Sequence, residues 1–519
     1  MIKIIPFGCR LNAIEAEKIR AILTGAGVTR AIVVNTCSVT AEAERQSRQM
    51  VRKLARENPG APIFVTGCAA TRSSGDYAEI PGVTAVIANK DKLDINAYLH
   101  DAESAAGARG HAPLHSSEPI TEFQNFSKGF VQIQNGCNHN CAYCIVSKLR
   151  GKNVSFPYEK ILAEVRALVD NGYAEIVLAG VDIAGYIIPL LRRGADVVCH
   201  SREGGNAGVV LQNDQDSENH SRPNKKEFNI AHSLQNHPGR YAATPPHEGN
   251  FRIPDLCRAI LRDVPGLRRL RLSSLDPGVD LRPLIDLMAS DTRMLPHMHL
   301  SMQSGSDAIL AAMGRRHNAR MVRELMASMP PRSKSVERRA QVKNSDSKST
   351  TNNLSTLSDL RSATCAPAAQ PYLCALRPLT LSFSWDLICG FPGETPELFD
   401  ETCALIRELK PIRLHAFPFS PRPGTPAATM PNQVPRAESK RRVKIAADIA
   451  RENMRAFMES RLGRTIQILA EENNLGRDEH DIPVRIDGAP VPARSVVNVT
   501  PMEIEVGRDK EFRFVARVV

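Results

Sequence analysis

Short apolar runs rich in β-branched residues alternate with helical patterns along most of this chain. That rhythm restricts the fold to parallel sheets layered with helices. The runs Ile2–Phe7, Ala31–Val34 and Pro62–Thr66 have the length of buried strands, and helical patterns at Ala13–Thr24 and Ala41–Glu57 separate them. This βαβαβ order predicts an N-terminal doubly wound parallel sheet over residues 1–105. Residues 101–122 lose periodicity and read as a linker. A second series follows, with candidate strands at Phe130–Gln134, Glu175–Ala179, Leu267–Leu272, His297–Met302, Trp385–Cys389 and Leu414–Pro418. Helical segments between them include Pro157–Asn171, Ile253–Arg262 and Pro396–Leu409. The alternation predicts a central partial (β/α)6 barrel over residues 123–440, with its chemistry at the C-terminal strand ends. A basic helix at 436–460 carries Arg436, Lys440, Arg441, Arg442, Lys444, Arg451 and Arg455. Beyond Arg461, the segments Thr465–Ala470, Val484–Asp487, Val496–Val499 and Phe512–Val518 predict a small β-barrel over 461–519.

Two stretches interrupt the rhythm. Residues 187–250 are rich in Asn, His, Gly and Ser, and residues 330–380 in Ser, Lys and Asn. Neither has the periodicity to bury a core, so both are expected to be mobile insertions. An extra metal site at Cys199, Cys365 and Cys374, which they carry, is a minor alternative.

No apolar leader and no run long enough to cross a membrane is visible, so a cytoplasmic protein without a membrane partner is expected. Twelve cysteines in a reducing compartment then point to metal or catalysis rather than disulfides. The net charge of +11 favours a polyanion such as RNA. A 5% aromatic content with one Trp disfavours a broad base-stacking platform.

Cys137, Cys141 and Cys144 lie on one tight arc directly after a strand. Three thiolates so placed suit a [4Fe–4S] cluster with one iron open to a small molecule. A zinc reading would need four protein ligands, with His139 as the candidate fourth. Cys9, Cys37 and Cys68 each fall just past the end of a predicted parallel strand, where α/β folds gather ligands. They suit a second cluster of the same kind; buried small residues would more often sit inside the strands.

Cys137–Cys144 with its flanks resembles the radical-SAM signature. Together with Gly8-Cys9-Arg10-Leu11-Asn12, Asn35-Thr36-Cys37 and Thr66-Gly67-Cys68, it is similar to the methylthiotransferase family. Further matches are Leu149-Arg150-Gly151, Leu178–Ile183, Leu272–Pro277, His299–Gly305, Gly390–Glu394 and His415–Thr425, so the likeness spans both flanks of each insertion. The tail from Arg461 resembles a TRAM domain, an RNA-binding barrel. The Gly-Cys-Arg-Leu-Asn start, Gly-Val-Asp-Ile, Ser-Ser-Leu-Asp-Pro and Phe-Ser-Pro-Arg-Pro-Gly-Thr are most similar to the branch that adds a methylthio group to C2 of N6-threonylcarbamoyladenosine, next to the tRNA anticodon.

The resemblance implies two [4Fe–4S] clusters, S-adenosylmethionine as radical source and methyl donor, tRNA as partner, and a one-electron reductant. DNA is not an expected partner. The Cys137/Cys141/Cys144 cluster would bind and cleave S-adenosylmethionine, and the Cys9/Cys37/Cys68 cluster would hold or supply sulfur. Tyr143 would pack on the adenine or simply in the core. Gly180 would admit the methionine moiety or form a turn. Asp182 and Gln303 would be polar ligands or solvated loop residues. Arg422 would touch a phosphate or the threonylcarbamoyl carboxylate, or serve the loop. Two alternatives remain: the same chemistry on isopentenyladenosine tRNA or on a ribosomal-protein aspartate, and an RNA-binding iron–sulfur protein whose insertions have disabled catalysis. The tail, with nine Lys and Arg against ten Asp and Glu, is not basic enough to bind RNA by charge alone.

Overall fold

The computed structural model describes residues 2–39, 41–99, 119–124, 126–189, 250–328, 380–507 and 511–519. Cys199, Cys365, Cys374 and nearly all of both insertions lie outside the described residues. The two ends of the first insertion are described. Ile187–Pro189 pairs antiparallel with Asn250–Arg252, so the chain leaves and returns at one place.

The N-terminal strands Ile2–Pro6, Ala31–Thr36, Ile63–Gly67 and Ala85–Val86 pair in chain order, all parallel. Alternate residues of the central strand face opposite layers. Ala31 and Val33 meet Ile19, Ile22 and Leu23 of the helix Arg10–Gly25. Ile32 and Val34 meet Val51 and Leu54 of the helix Ala41–Glu57. The period-2 alternation of a strand thus places a helix on each face. The first helix starts earlier than its apolar spacing suggested, at Arg10, which leaves Cys9 as its N-cap. It serves two cores, because Leu11 and Ile14 pack into the barrel.

The barrel strands are Gly129–Gln132, Glu175–Ala179, Arg269–Leu272, His297–Gln303, Ser382–Cys389 and Arg413–Pro418. They form two parallel three-stranded sheets. The isolated bridges Leu270↔Met294 and Leu275↔Leu300 join these into one open barrel. Its helices form where local signals agree. In Pro396–Leu409, Thr395 caps by accepting from Leu398 N–H, Pro396 opens the first turn, and Lys410 ends it in a left-handed conformation.

The tail closes into a five-stranded barrel of Ile466–Ala470, Leu475–Asp478, Pro483–Ile486, Val496–Val506 and Phe512–Val518. It caps the N-terminal mouth of the partial barrel. Residues at or beside the first position of all six large-barrel strands meet there. Lys128 pairs with Asp481 at 2.5 Å and with Glu175 at 3.4 Å. Arg269 donates to the Asp478 and Gln467 carbonyls, and Arg413 approaches Asp481 at 3.5 Å. His480, Ser382, His297 and Ser384 form a buried hydrogen-bonded chain at 2.8, 2.6 and 3.0 Å. The near-neutral charge of the tail now has a partial cause, since Asp481 faces Lys128 and Arg413 of the barrel. Among the described residues no helix is long and apolar enough to cross a membrane.

Candidate active site

Cys9, Cys37 and Cys68 leave three adjacent strand ends of the N-terminal sheet. The backbone is drawn in tightly around them. Gly8 and Gly67 both hold positive φ, and a Cβ at Gly8 would overlap the Cys37 sulfur. Burial, then the neighbouring Cys9 and Cys68 thiols, push Cys37 up to about 12. Val39 N–H donates to Cys37 Sγ at 3.4 Å, and Asn89 Nδ2 to Cys68 Sγ at 3.6 Å.

Cys137, Cys141 and Cys144 lie on the loop enclosed by the paired segments Gln134–Asn135 and Val154–Ser155. Here every sulfur has a donor. His139 N–H and Val146 N–H reach Cys137 and Cys144 at 3.4 Å each, and Arg315 Nη1 reaches Cys141 at 3.6 Å. Donors of this kind favour the thiolate, the form that ligates metal.

Spacing separates a cluster from a single ion. Tetrahedral zinc, with Zn–S of about 2.3 Å, draws its sulfurs to within roughly 4 Å of one another. Among the described residues only Cys137, His139 and Asp182 bring three ligand atoms within 4.8 Å. Neither cysteine triad is that tight, which argues against a single tetrahedral ion at either. His139 instead turns its Nε2 to Asp182 Oδ2 at 2.8 Å.

A buried polar network ties the two triads together. Asn89, which donates to Cys68, also donates to the Leu149 carbonyl beyond the arc at 3.1 Å. Arg150 crosses the other way, from the arc to Glu15 at 2.8 Å and to Asn12 at 3.0 Å. Lys92 completes the network 2.6 Å from Glu15. Burial alone would raise the Glu15 carboxyl, but Arg150 and Lys92 outweigh it and hold it down at about 2. A depressed carboxylate contributes stability above its unfolded value of 4.5, and that contribution is lost as pH falls toward about 2. Between those values the wild type should lose on the order of 3 kcal/mol from this group. Denaturant midpoints across that range should fall less steeply for Glu15→Gln. Parallel curves would show that Glu15 does not carry the acid sensitivity.

The remaining candidates are placed as follows. Tyr143 is half-buried and packs with Ala142, Phe391 and Phe419. At Gly180 a Cβ would meet Ile183 Cγ2 at 2.7 Å and Gln134 Oε1 at 2.8 Å, so local packing already requires glycine. Asp182 is buried, caps the turn Ile183–Gly185 and lies beside His139. Gln303 ends its strand at φ 68, just past a register shift, in the left-handed region rare for a non-glycine residue. Arg422 is not an open lip. It is 5% exposed and lies 3.3 Å from Glu44, while its Nε and Nη2 have no hydrogen-bond partner among the described residues.

Sequence reasoning missed Gln134. Its fully buried amide accepts from the Val181 and Asp182 N–H groups at 2.9 and 2.8 Å and donates to the Gly136 carbonyl at 2.6 Å. It thus fixes the 180–182 turn against the arc. A glutamine ending an apolar strand, just before the cysteines, was the available signal.

Two adjoining cysteine triads, one on a single loop at the mouth of an open parallel barrel and one on three neighbouring strand ends, define an iron–sulfur enzyme of the radical-SAM class. Residues 131–208 match the radical SAM superfamily, and residues 1–88 match an uncharacterized protein family, UPF0004. The chain is 32% identical to the threonylcarbamoyladenosine tRNA methylthiotransferase MtaB of Rickettsia prowazekii (strain Madrid E), over 93% of this chain and 91% of that one. It is 28% identical to the protein of that name from Chlamydia pneumoniae, over 91% of this chain and 86% of that one. It is also 28% identical to a tRNA-2-methylthio-N(6)-dimethylallyladenosine synthase of Paraburkholderia xenovorans (strain LB400), over 96% and 92%. The chain belongs to the radical-SAM methylthiotransferase family.

Proposed function

We propose that this protein transfers a methylthio group to C2 of N6-threonylcarbamoyladenosine at position 37 of tRNA. The observation that carries the reading is the pair of cysteine triads joined through Asn89 and Arg150. Cys137, Cys141 and Cys144 would hold one [4Fe–4S] cluster, and Cys9, Cys37 and Cys68 the other. With S-adenosylmethionine and an external one-electron reductant, these groups supply the radical, the sulfur and the methyl group for a carbon that acid–base chemistry cannot easily deprotonate.

The chain's own residues position and shield. Gln134 holds the 180–182 turn, and His139 Nε2 lies 2.8 Å from Asp182 Oδ2, close to Cys137. Arg315 supports Cys141 while anchored to the Ser301 carbonyl at 2.8 Å. Tyr143, Gly180, Asp182 and Gln303 remain the residues assigned to S-adenosylmethionine. The test is to incubate reconstituted protein with threonylcarbamoyladenosine tRNA, isopentenyladenosine tRNA and ribosomal protein in turn, and to analyse the products by mass spectrometry. Product is expected from the first alone. A product only from either of the others would overturn the substrate, and absence of 5′-deoxyadenosine throughout would favour the catalytically disabled reading.

The helix Arg436–Glu459 supplies a tRNA-facing surface. Its first turns lie at the catalytic face, because Ser439 packs against Gly390 just past a barrel strand end. Lys440, Arg441 and Lys444 are exposed there. Arg442 does not belong with them. It is 3% exposed and bonded to Glu394 at 2.8 Å, so it secures the helix to the barrel. Replacing Lys440, Arg441 and Lys444 by Ala should weaken tRNA binding and reduce the slope of log K against log salt by roughly 2–3. An unchanged slope would remove this face from the RNA interface.

A further inference from the structure

The cluster cysteines do not all receive their hydrogen bonds from the same kind of group. Cys137 and Cys144 are served by the His139 and Val146 N–H groups, each two residues further along the same loop. In the N-terminal triad the donors are the Val39 N–H and the Asn89 amide. All four are neutral. Among the described residues Cys141 alone accepts a hydrogen bond from a charged side chain, Arg315 Nη1 at 3.6 Å, across 174 positions of sequence. The loop that supplies its own backbone donors does not supply this one.

The turn that carries Arg315 is built against the arc. After the short helix Asp307–Ala312, Gly314 turns the chain at φ 71, and the Met313 carbonyl accepts from the Ala142 N–H at 2.9 Å. From there the guanidinium reaches three elements. Nη1 meets the Cys141 sulfur on the arc, and Nη2 donates to the Ser301 carbonyl in the strand His297–Gln303 at 2.8 Å. Asp276, beyond the strand Arg269–Leu272, lies 3.4 Å from Nη2. The Arg315 and Asp276 side chains are each 7% exposed, so water screens neither strongly. Asp276 is shared, since the Gly278 N–H donates to it at 2.7 Å and Arg316 lies 3.2 Å away. It therefore offsets the charge of Arg315 only in part.

We propose that Arg315 is a positioning residue that raises the reduction potential of the Cys137/Cys141/Cys144 cluster, with Asp276 as the counter-charge that limits the rise. This rests on the methylthiotransferase reading above and names the side chain that eases its electron-accepting step. One electron from the external reductant adds one negative charge at this site, and no bond forms or breaks. A cation hydrogen-bonded to a ligating sulfur stabilises the more negative form, because net charge and hydrogen bonds to the sulfurs set such potentials. Arginine does this at any working pH, since its guanidinium keeps its charge.

The experiment is a redox titration followed by electron paramagnetic resonance. It uses reconstituted full-length protein with Cys9, Cys37 and Cys68 replaced by Ala, so that a single cluster titrates. In that background Arg315→Gln should be about tenfold harder to reduce, a midpoint about 59 mV more negative for a one-electron couple. Arg315→Lys keeps a cation and should recover part of the shift. Asp276→Asn should move the midpoint the other way. A merely structural role would shift both variants in one direction, so the opposite signs are the diagnostic result. An Arg315→Gln midpoint at or above that of the unsubstituted arginine, or an Asp276→Asn midpoint at or below that of the unsubstituted aspartate, would overturn the proposal and leave the function standing. Should Arg315→Gln fail to hold iron, the sign of the Asp276→Asn shift decides. No reducible cluster at the arc, together with no 5′-deoxyadenosine from the wild type, would sink the function proposed above and this inference with it.

Discussion

Replacing Cys137, Cys141 and Cys144 together by Ala is expected to remove about half the iron from anaerobically reconstituted protein. Two separate three-thiolate sites support about eight irons, so about four should remain. The counterpart variant, with Cys9, Cys37 and Cys68 replaced, should also keep about four. The two should then differ in chemistry. The arc variant should form no 5′-deoxyadenosine from S-adenosylmethionine. The N-terminal variant should still form it, yet its methylthio product should fall by about 10³-fold or more, roughly 4 kcal/mol of lost transition-state stabilisation. The triads leave different strands of different sheets, so either can be emptied while the other's scaffold stands. Full iron and undiminished 5′-deoxyadenosine in the arc variant would show that the ligands lie elsewhere.

The second large effect belongs to the floor of the barrel. Glu175 is fully buried, and its two oxygens receive Arg269 Nε and Arg271 Nε at 2.7 Å each. Burial opposes its charge, but Arg271, Lys128 and Arg269 outweigh burial and hold the carboxyl well below its ordinary range. Glu175→Ala would leave two buried guanidinium groups uncompensated where the small barrel docks. Breaking a buried pair in this way costs about 3–5 kcal/mol. Trp385, the single tryptophan, is 1% exposed on the neighbouring half of the barrel and reports its unfolding directly. Its fluorescence midpoint in denaturant should fall accordingly, and protease should release the 461–519 segment earlier. A shift within about 0.5 kcal/mol, the range of an ordinary surface substitution, would mean the ion cluster does not secure the floor.

Much of the architecture could be read locally. Glu175–Ala179, Ala41–Glu57, Pro396–Leu409 and Phe512–Val518 have the bounds that apolar periodicity and caps assigned to them. The six cysteines could be read as candidates because thiols just past parallel strand ends, or on one arc, are visible as spacing. The Leu475–Asp478 strand was missed because Gly476, Arg477 and Asp478 carry no apolar alternation. Arg442 has no local mark that sets it apart from the other basic residues of its helix; its burial shows only once Glu394, in the loop before Pro396–Leu409, is found beside it.

What the sequence determined by itself was the order of the main elements and the residue types at the strand ends. Those follow from the 2.0 and 3.6 periodicities, which act between near neighbours. Tertiary structure alone decided that the small barrel seals the N-terminal mouth and that Arg150 locks the two cysteine triads together. Lys128 meets Asp481 across 353 positions, and Arg150 meets Glu15 across 135. No local pattern can encode such pairs. A charge discloses its partner only when packing has excluded the water that would otherwise have served it.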